Sequence, residues 1–526
     1  MPGAFLIAIA LTAIQGPPPP PPAPSRLVPT LVVHITVDQF RADYLNRWRS
    51  QLTGGLARLL RVGAVFTDAF QDHAMTETAP GHATVLSGRN PASTGIVDNN
   101  QGVPDTSDAG RLLEVPGPGA SPWRFRGTEL FDWIAARYPG ARALSVSRKD
   151  RGAILPIGRA RQQVYWYQSG EFTTSRYYAD SLPAWVRDFN AGMVAARAPG
   201  RRWELLLPAN DYAEPDSEPY ERGGRNFMFP HELPSDSDVA AIAVMAMPWM
   251  DSLTLALALD GVNHLDLGRG QQPDLLAVSL STTDAVGHAY GPDSREIHDQ
   301  VLRLDRYLGA FLDSLERLRD PRRILISLTA DHGVTSYPAW SRAHGYPQAG
   351  QVSADSLIRA TLMALAGQAG PGPWIRYFDN GLLAMDRAGL TARGVNVDSV
   401  VADLADAMRR VPGVLRVDTR RTLAAADTAS DPIARRWLNL LTPDLPAELM
   451  VTLQPRDVWG SLSAEHGQPS DDDSHVPLII SGRGVRPGRY SRRVSVVDLA
   501  PTLAYLLGAR PLEKPDGRVL TEALRR

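Results

Sequence analysis

Four stretches of the chain are apolar at nearly every position, and each is bordered by polar residues. Residues 31–37 (Leu-Val-Val-His-Ile-Thr-Val) run into Asp38, and residues 274–280 and 323–329 repeat the design ahead of polar clusters at 281–288 and 330–333. Residues 476–480 are a shorter version near the end. Runs of this length and composition are what strands buried on both faces require. Between them, apolar positions recur at helical spacing over 51–61, 129–137 and 296–317. Strand, polar loop and helix in alternation predict an α/β fold, a doubly wound, mostly parallel central sheet with helices on both faces. Ligands of such sheets gather outside the carboxyl ends of the strands, where the polar clusters fall.

Two stretches interrupt the alternation. Residues 160–250 are rich in Tyr, Trp, Pro and Asn with weak periodicity, which predicts a cap over the site. Residues 353–460 carry their own helix–strand pattern, with helices at 353–366 and 397–410, and predict a small α+β subdomain. At the start, residues 4–14 are uncharged and apolar, and Pro17 to Pro22 follow unbroken. The apolar run is too short to span a bilayer and has the length of a signal-peptide core, with the prolines as a stiff spacer. Residues 1–24 are therefore expected to direct export, making the protein periplasmic or secreted. No other stretch reaches 18 consecutive apolar residues, so no membrane span is expected in the mature form.

Composition narrows the chemistry. Lys+Arg number 55 against 57 Asp+Glu, a formal net charge of −2 over 526 residues, which argues against a nucleic-acid coat or a polybasic membrane binder. An anionic ligand must therefore be met by a local cluster. Cysteine is absent, which excludes disulfides, iron–sulfur clusters and thiol nucleophiles. Lysine occurs only at Lys149 and Lys514.

Four separated clusters carry candidate chemistry. Asp38 ends the first strand, where an Asp is commonly a turn former. Thr76-Glu-Thr-Ala-Pro-Gly-His82 opens a helical segment at 83–87; Thr78 reads as a helix N-cap, and equally as a hydroxyl where helix N–H groups favour anions. Asp284 and His288 are four apart, on one face of a helical turn, as a metal chelate needs. Asp331-His332-Gly333 follows a strongly apolar strand, and His475 precedes the last one beside the acidic loop Asp471-Asp-Asp473. Each cluster alone has an ordinary structural explanation. Together they fall at strand ends that one pocket can collect, and carboxylate plus imidazole without thiolate suits Zn2+ or a similar divalent ion.

The order of these motifs resembles the alkaline phosphatase superfamily, in its phosphodiesterase/nucleotide pyrophosphatase-related branch with a threonine nucleophile. The resemblance rests on Asp38, Thr76-x-Thr-Ala-Pro-Gly-His82, Gly95-Ile-Val-Asp-Asn99, Asp284-x-x-x-His288, Asp331-His332-Gly333 and a late histidine. Val146-Ser-Arg-Lys-Asp-Arg151 narrows it to bacterial threonine-nucleophile alkaline phosphatases, in an otherwise arginine-dominated chain. It implies that residues 25–526 form one catalytic domain hydrolysing phosphate monoesters through two Zn2+, with Co2+ or Mn2+ as substitutes. Asp38, Thr78, Asp331 and His332 would surround one ion, and Asp284, His288 and His475 the other. Thr78 would be the nucleophile, and Asn99, Lys149 and Arg151 would bind the phosphoryl oxygens. His82 and His466 are assigned structural or supporting roles.

A phosphodiesterase on the same scaffold, or a metal-containing binding protein without turnover, are the competing readings. The Lys149/Arg151 pair separates the first, since a diester carries one charge fewer than a monoester. Absence of an unassigned heptad or long apolar stripe favours a monomer.

Overall fold

The four apolar runs lie side by side. In this computed structural model, which describes residues 28–193, 199–460 and 463–525, they are neighbours in a ten-stranded sheet. Its order is Gly488–Tyr490, Ala64–Phe70, His475–Gly482, Ile324–Thr329, Leu31–Val37, Asp274–Leu280, Ala143–Ser147, Gln163–Gln168 and Glu171–Thr173, with Val494–Ser495 also beside Ala64–Phe70. Leu31–Val37 sits at the centre, parallel to strands on both sides, with Leu31 opposite Asp274 and Ile324. All seven of its residues are buried, His34 included. The His34 ring nitrogens meet Ser327 Oγ and Thr36 Oγ1 at 2.9 Å, and burial pushes the imidazole down to about 3, so it is a neutral core residue. His475–Gly482 enters antiparallel to both of its neighbours.

Helices cover the sheet in two groups. Gly55–Val62, Trp249–His264 and Arg295–Leu318 pack together, and so do Thr78–Ser87, Leu130–Arg137 and Leu499–Leu507. Gly55–Val62 starts later than its apolar spacing predicts because its N-terminus is set by a distant residue. Asp305, within Arg295–Leu318, accepts the backbone N–H groups of Thr53, Gly54, Leu56 and Ala57 at 2.7, 2.5, 2.8 and 3.1 Å. A Cβ at Gly54 would stand 2.2 Å from the Asp305 carbonyl oxygen, so only glycine lets the two backbones meet.

The stretch expected to be a cap from residue 160 begins as sheet. Gln163–Gln168 and Glu171–Thr173 are its last two strands, the second of them the edge, and Trp249–His264 is a core helix with ten buried residues. The Tyr/Trp-rich composition there belongs to a buried strand, with Tyr165, Trp166 and Tyr167 all inside. Between these elements, the segment around 203–212 is tied to Arg295–Leu318 through Asp299, which accepts Trp203 Nε1, the Leu206 N–H and Tyr212 OH at 2.6, 2.7 and 2.6 Å. Within the second insertion, Ile375–Asp379, Leu382–Met385, Ala447–Leu453 and Val414–Asp418 form a four-stranded antiparallel sheet, in that order. Helices Asp355–Ala369 and Val397–Met408 pack with it around a separate core that includes Leu383, Met385, Leu404 and Leu449. Among the described residues no single helix is long and apolar enough to cross a membrane. The apolar run at 4–14 and the prolines lie outside the described residues.

Candidate active site

Parallel strands deliver the candidate residues to one end of the sheet. Asp38 follows Leu31–Val37, Asp331 and His332 follow Ile324–Thr329, and Lys149 follows Ala143–Ser147. Asp284 and His288 lie one turn apart in Thr282–Tyr290, the helix that succeeds Asp274–Leu280. Thr78 is the first residue of Thr78–Ser87, a helix buried at all ten positions and longer at its start than the segment at 83–87. Pro80 lies in the first turn, where a missing N–H costs nothing. Gly81 lets this helix rest on Asp331: a Cβ there would stand 2.2 Å from the Asp331 carbonyl oxygen. His82 braces the same contact, with Nδ1 2.9 Å from the Thr78 carbonyl oxygen and Nε2 2.8 Å from Ser279 Oγ.

Two donor groups form, and Asp284 belongs to both. One comprises Asp284, His288 and His466, the other Asp38, Asp284 and His332, with ligand atoms in each mutually within 4.8 Å. Asp331 adjoins the second, its Oδ2 3.7 Å from His332 Nε2 while its Oδ1 accepts the backbone N–H groups of Gln39 and His332. All three histidines are oriented alike. Nδ1 of His332, His288 and His466 lies 2.9, 3.1 and 2.7 Å from the carbonyl oxygens of Gly333, Ala464 and Thr76. A carbonyl only accepts, so each Nδ1 carries the proton and each Nε2 presents a lone pair to the site, as metal-binding imidazoles do.

These donors fit divalent ions. Asp38 Oδ1 and His332 Nε2 are buried and accept no hydrogen bond, while the buried Asp331 Oδ2 lies 3.1 Å from His82 Nδ1. The Nε2 atoms of His288 and His466 face each other at 3.1 Å, and against its burial the Asp284 carboxylate pushes His288 up to about 9, so without an ion the shared position is held by a proton. Burial, then the neighbouring Asp284 and Asp331, hold the Asp38 carboxyl above its usual range despite Lys149. Burial, then His332 and His288, press His466 well below its ordinary value. Crowded carboxylates and unprotonated imidazoles of this kind are stabilised by added positive charge.

Lys149 completes the centre. Its Nζ lies 3.0 Å from Thr78 Oγ1 and 2.7 Å from one oxygen each of Asp38 and Asp284, while Arg148 reaches to 3.6 Å from Asp284. Asn99 sits against the start of the Thr78 helix, with Oδ1 accepting the Ala79 N–H at 2.9 Å, whereas Asn100 is exposed. Arg151 stands on the adjoining helix Asp150–Ile154, its guanidinium 3.5 Å from Asp150 and not in contact with Thr78.

His475 is not in this cluster. It opens the strand His475–Gly482, where its ring stacks on Phe70 with centroids 4.8 Å apart and Nε2 meets the Thr67 carbonyl oxygen at 3.1 Å. His466, assigned a supporting role from sequence, takes the place beside Asp284 and His288. The distinguishing signal is local. His475 is continuous with an apolar strand, whereas His466 lies in a loop closed by Gly467 at φ 113°.

Residues 32–346 match the type I phosphodiesterase / nucleotide pyrophosphatase family. The chain is similar to alkaline phosphatase PhoK of Sphingomonas, 31% identical over 94% of this chain and 91% of that one. It is also similar to alkaline phosphatase PhoV of Synechococcus elongatus, 30% identical over 94% of this chain and 93% of that one. The crystal structure of wild-type alkaline phosphatase PafA superimposes with a TM-score of 0.87 at 28% identity, covering 95% of this chain and 99% of PafA. Sequence, fold and the order of the motifs agree, and the chain belongs to the type I phosphodiesterase / nucleotide pyrophosphatase family of the alkaline phosphatase superfamily.

Proposed function

We propose that this chain is an alkaline phosphatase, a metal-dependent hydrolase of phosphate monoesters that works through a covalent phosphothreonine at Thr78. The observation that carries this reading is the Lys149 ammonium 3.0 Å from Thr78 Oγ1, beside two metal-donor groups that share Asp284. Asp38, Thr78, Asp331 and His332 would hold one ion, and Asp284, His288 and His466 the other. Zn2+ suits these donors best, and Co2+ or Mn2+ are chemically acceptable substitutes. Bound there, the ions supply the Lewis-acid charge that makes a threonine alkoxide accessible near neutral pH and neutralises a leaving oxygen.

The chain's own groups do the positioning on which phosphoryl transfer depends. Thr78 Oγ forms a bond to phosphorus as the ester P–O bond breaks, and the alcohol leaves on the opposite side. Water then attacks from the vacated side, breaking the Thr78 Oγ–P bond and releasing phosphate with net retention. Asn99 spends its Oδ1 on the Ala79 N–H, which leaves its Nδ2 to donate to a phosphoryl oxygen. Lys149 brings a point charge and Arg151 a planar fork, matched to the extra negative oxygen that distinguishes a monoester from a diester. The apolar run at 4–14 and the proline spacer support export to the periplasm or the medium.

The test is kcat/KM of the zinc-loaded protein on p-nitrophenyl phosphate and on bis-p-nitrophenyl phosphate, with and without Lys149→Ala/Arg151→Ala. The monoester should be preferred by orders of magnitude, and the double variant should lose about 10²–10³-fold on it while changing little on the diester. A better rate on the diester, or an unchanged ratio, transfers the site to phosphodiester chemistry.

A further inference from the structure

The second insertion reaches into the active centre through one turn. Its strands Ile375–Asp379 and Leu382–Met385 are joined by Asn380 and Gly381, at φ 44° and 86°, the left-handed pair of a tight hairpin. Hairpin tips usually face water, but here Gly381 is buried and Asn380 half-buried. Asn380 Nδ2 donates to Glu77 Oε1 at 2.7 Å. The other Glu77 oxygen accepts the backbone N–H of Asn99 at 2.8 Å. Glu77 is 4% exposed and immediately precedes Thr78.

The same turn supports the loop that carries His466. The Asn380 carbonyl oxygen accepts Gln468 Nε2 at 3.2 Å, and a Cβ at Gly467 would stand 2.6 Å from Asn380 Cγ. Thr76 closes the circuit: its carbonyl oxygen accepts His466 Nδ1 at 2.7 Å, its Oγ1 accepts the Gly467 N–H at 3.2 Å, and its hydroxyl reaches the Gln468 carbonyl at 3.1 Å. Segments 76–78 and 99 are far in sequence from 466–468, and Asn380 touches Glu77 on one side and the 467–468 turn on the other.

We propose that Asn380 is a positioning residue for phosphoryl transfer, holding Glu77, and through it Thr78 and Asn99, in register with the loop of His466. The inserted subdomain is then a part of the active centre and not an appendage. This rests on the phosphatase reading for its substrate, but the hydrogen-bond geometry stands without it. Removing the amide leaves one oxygen of a buried carboxylate without its partner and loosens the carboxylate that holds the Asn99 backbone.

The test is a charge-swapped pair read by two observables, kcat/KM on p-nitrophenyl phosphate and the Kd of inorganic phosphate, on the zinc-loaded full chain. Asn380→Asp sets two carboxylates face to face, and Asn380→Gly removes the amide while tolerating the left-handed backbone. Each should lower kcat/KM about 10- to 100-fold, mainly in kcat, and weaken phosphate binding about 10-fold. In Glu77→Gln combined with Asn380→Asp, the new amide donates to the new carboxylate, and both observables should recover to within about 5-fold of Glu77→Gln alone. Should the aspartate variant not fold, Asn380→Gly decides. Losses that simply multiply in the double variant, or a lowered Tm with phosphate affinity unchanged, overturn the proposal. A wild type inactive on the monoester sinks the phosphatase reading instead, and the phosphate Kd series still tests the geometry.

Discussion

Strand Asp274–Leu280 of the central sheet is buried at all seven positions, whereas Ile375–Asp379 of the inserted sheet is half-buried or exposed at all five. A strand covered on both faces must be apolar almost throughout, so its ends are sharp and the first polar residue beyond it is forced to the rim. Ile375–Asp379 is the edge of its small antiparallel sheet, less covered than the fully buried Leu382–Met385 beside it, and its end is set by a turn. The central sheet therefore places whole groups of polar side chains at one level, namely Asp38, Asp284 and Asp331–His332. The inserted sheet contributes a single turn, and that turn matters because of where it lands.

The largest expected effect tests whether chemistry belongs to loops above the strand ends and packing to residues within strands. His466→Ala should reduce turnover on p-nitrophenyl phosphate by about 100-fold or more and lower the bound metal per chain, measured by elemental analysis. His475→Ala should leave metal content and kcat within about 3-fold of wild type, because its ring stacks on Phe70 and bonds the Thr67 carbonyl away from the metal donors. Equal losses in the two variants would erase the distinction.

A second contrast concerns stability. Leu276→Ala, at a fully buried central position, should cost about 3 kcal/mol in urea unfolding, while Leu415→Ala, 43% exposed in the inserted sheet, should stay within about 0.5 kcal/mol. Between these lies Asp305→Ala, which leaves four backbone N–H groups without their acceptor and should cost about 2 kcal/mol with activity retained.

The same contrast explains what was legible beforehand. The central runs at 31–37 and 274–280 were readable to the residue because double-sided burial leaves no other pattern. Asp38, Asp284, His288, Asp331 and His332 followed from those ends, and Thr78 and Lys149 from the motifs around them. His466 was not legible by position, since a loop histidine has no periodicity and His475 stood nearer a strand end. The last two strands of the sheet, at 163–173, were hidden by aromatic residues that suit a cap as well as a sheet. Asn380 was invisible for a different reason: nothing local records that a turn in an insertion touches Glu77, some 300 residues earlier.

The central place of Leu31–Val37 also sets an order in time. Its two hydrogen-bonded neighbours begin at Asp274 and Ile324, so the strand that organises the sheet is synthesised long before either partner exists. At roughly 5–20 residues per second, the interval before the first partner emerges is on the order of ten seconds to a minute. During it an apolar segment of high β-propensity must stay unpaired, and the long loop it finally closes makes the pairing itself slow. Cells making this protein must keep its earliest strand waiting, and agents that bind extended apolar chain should raise its yield more than slower synthesis would.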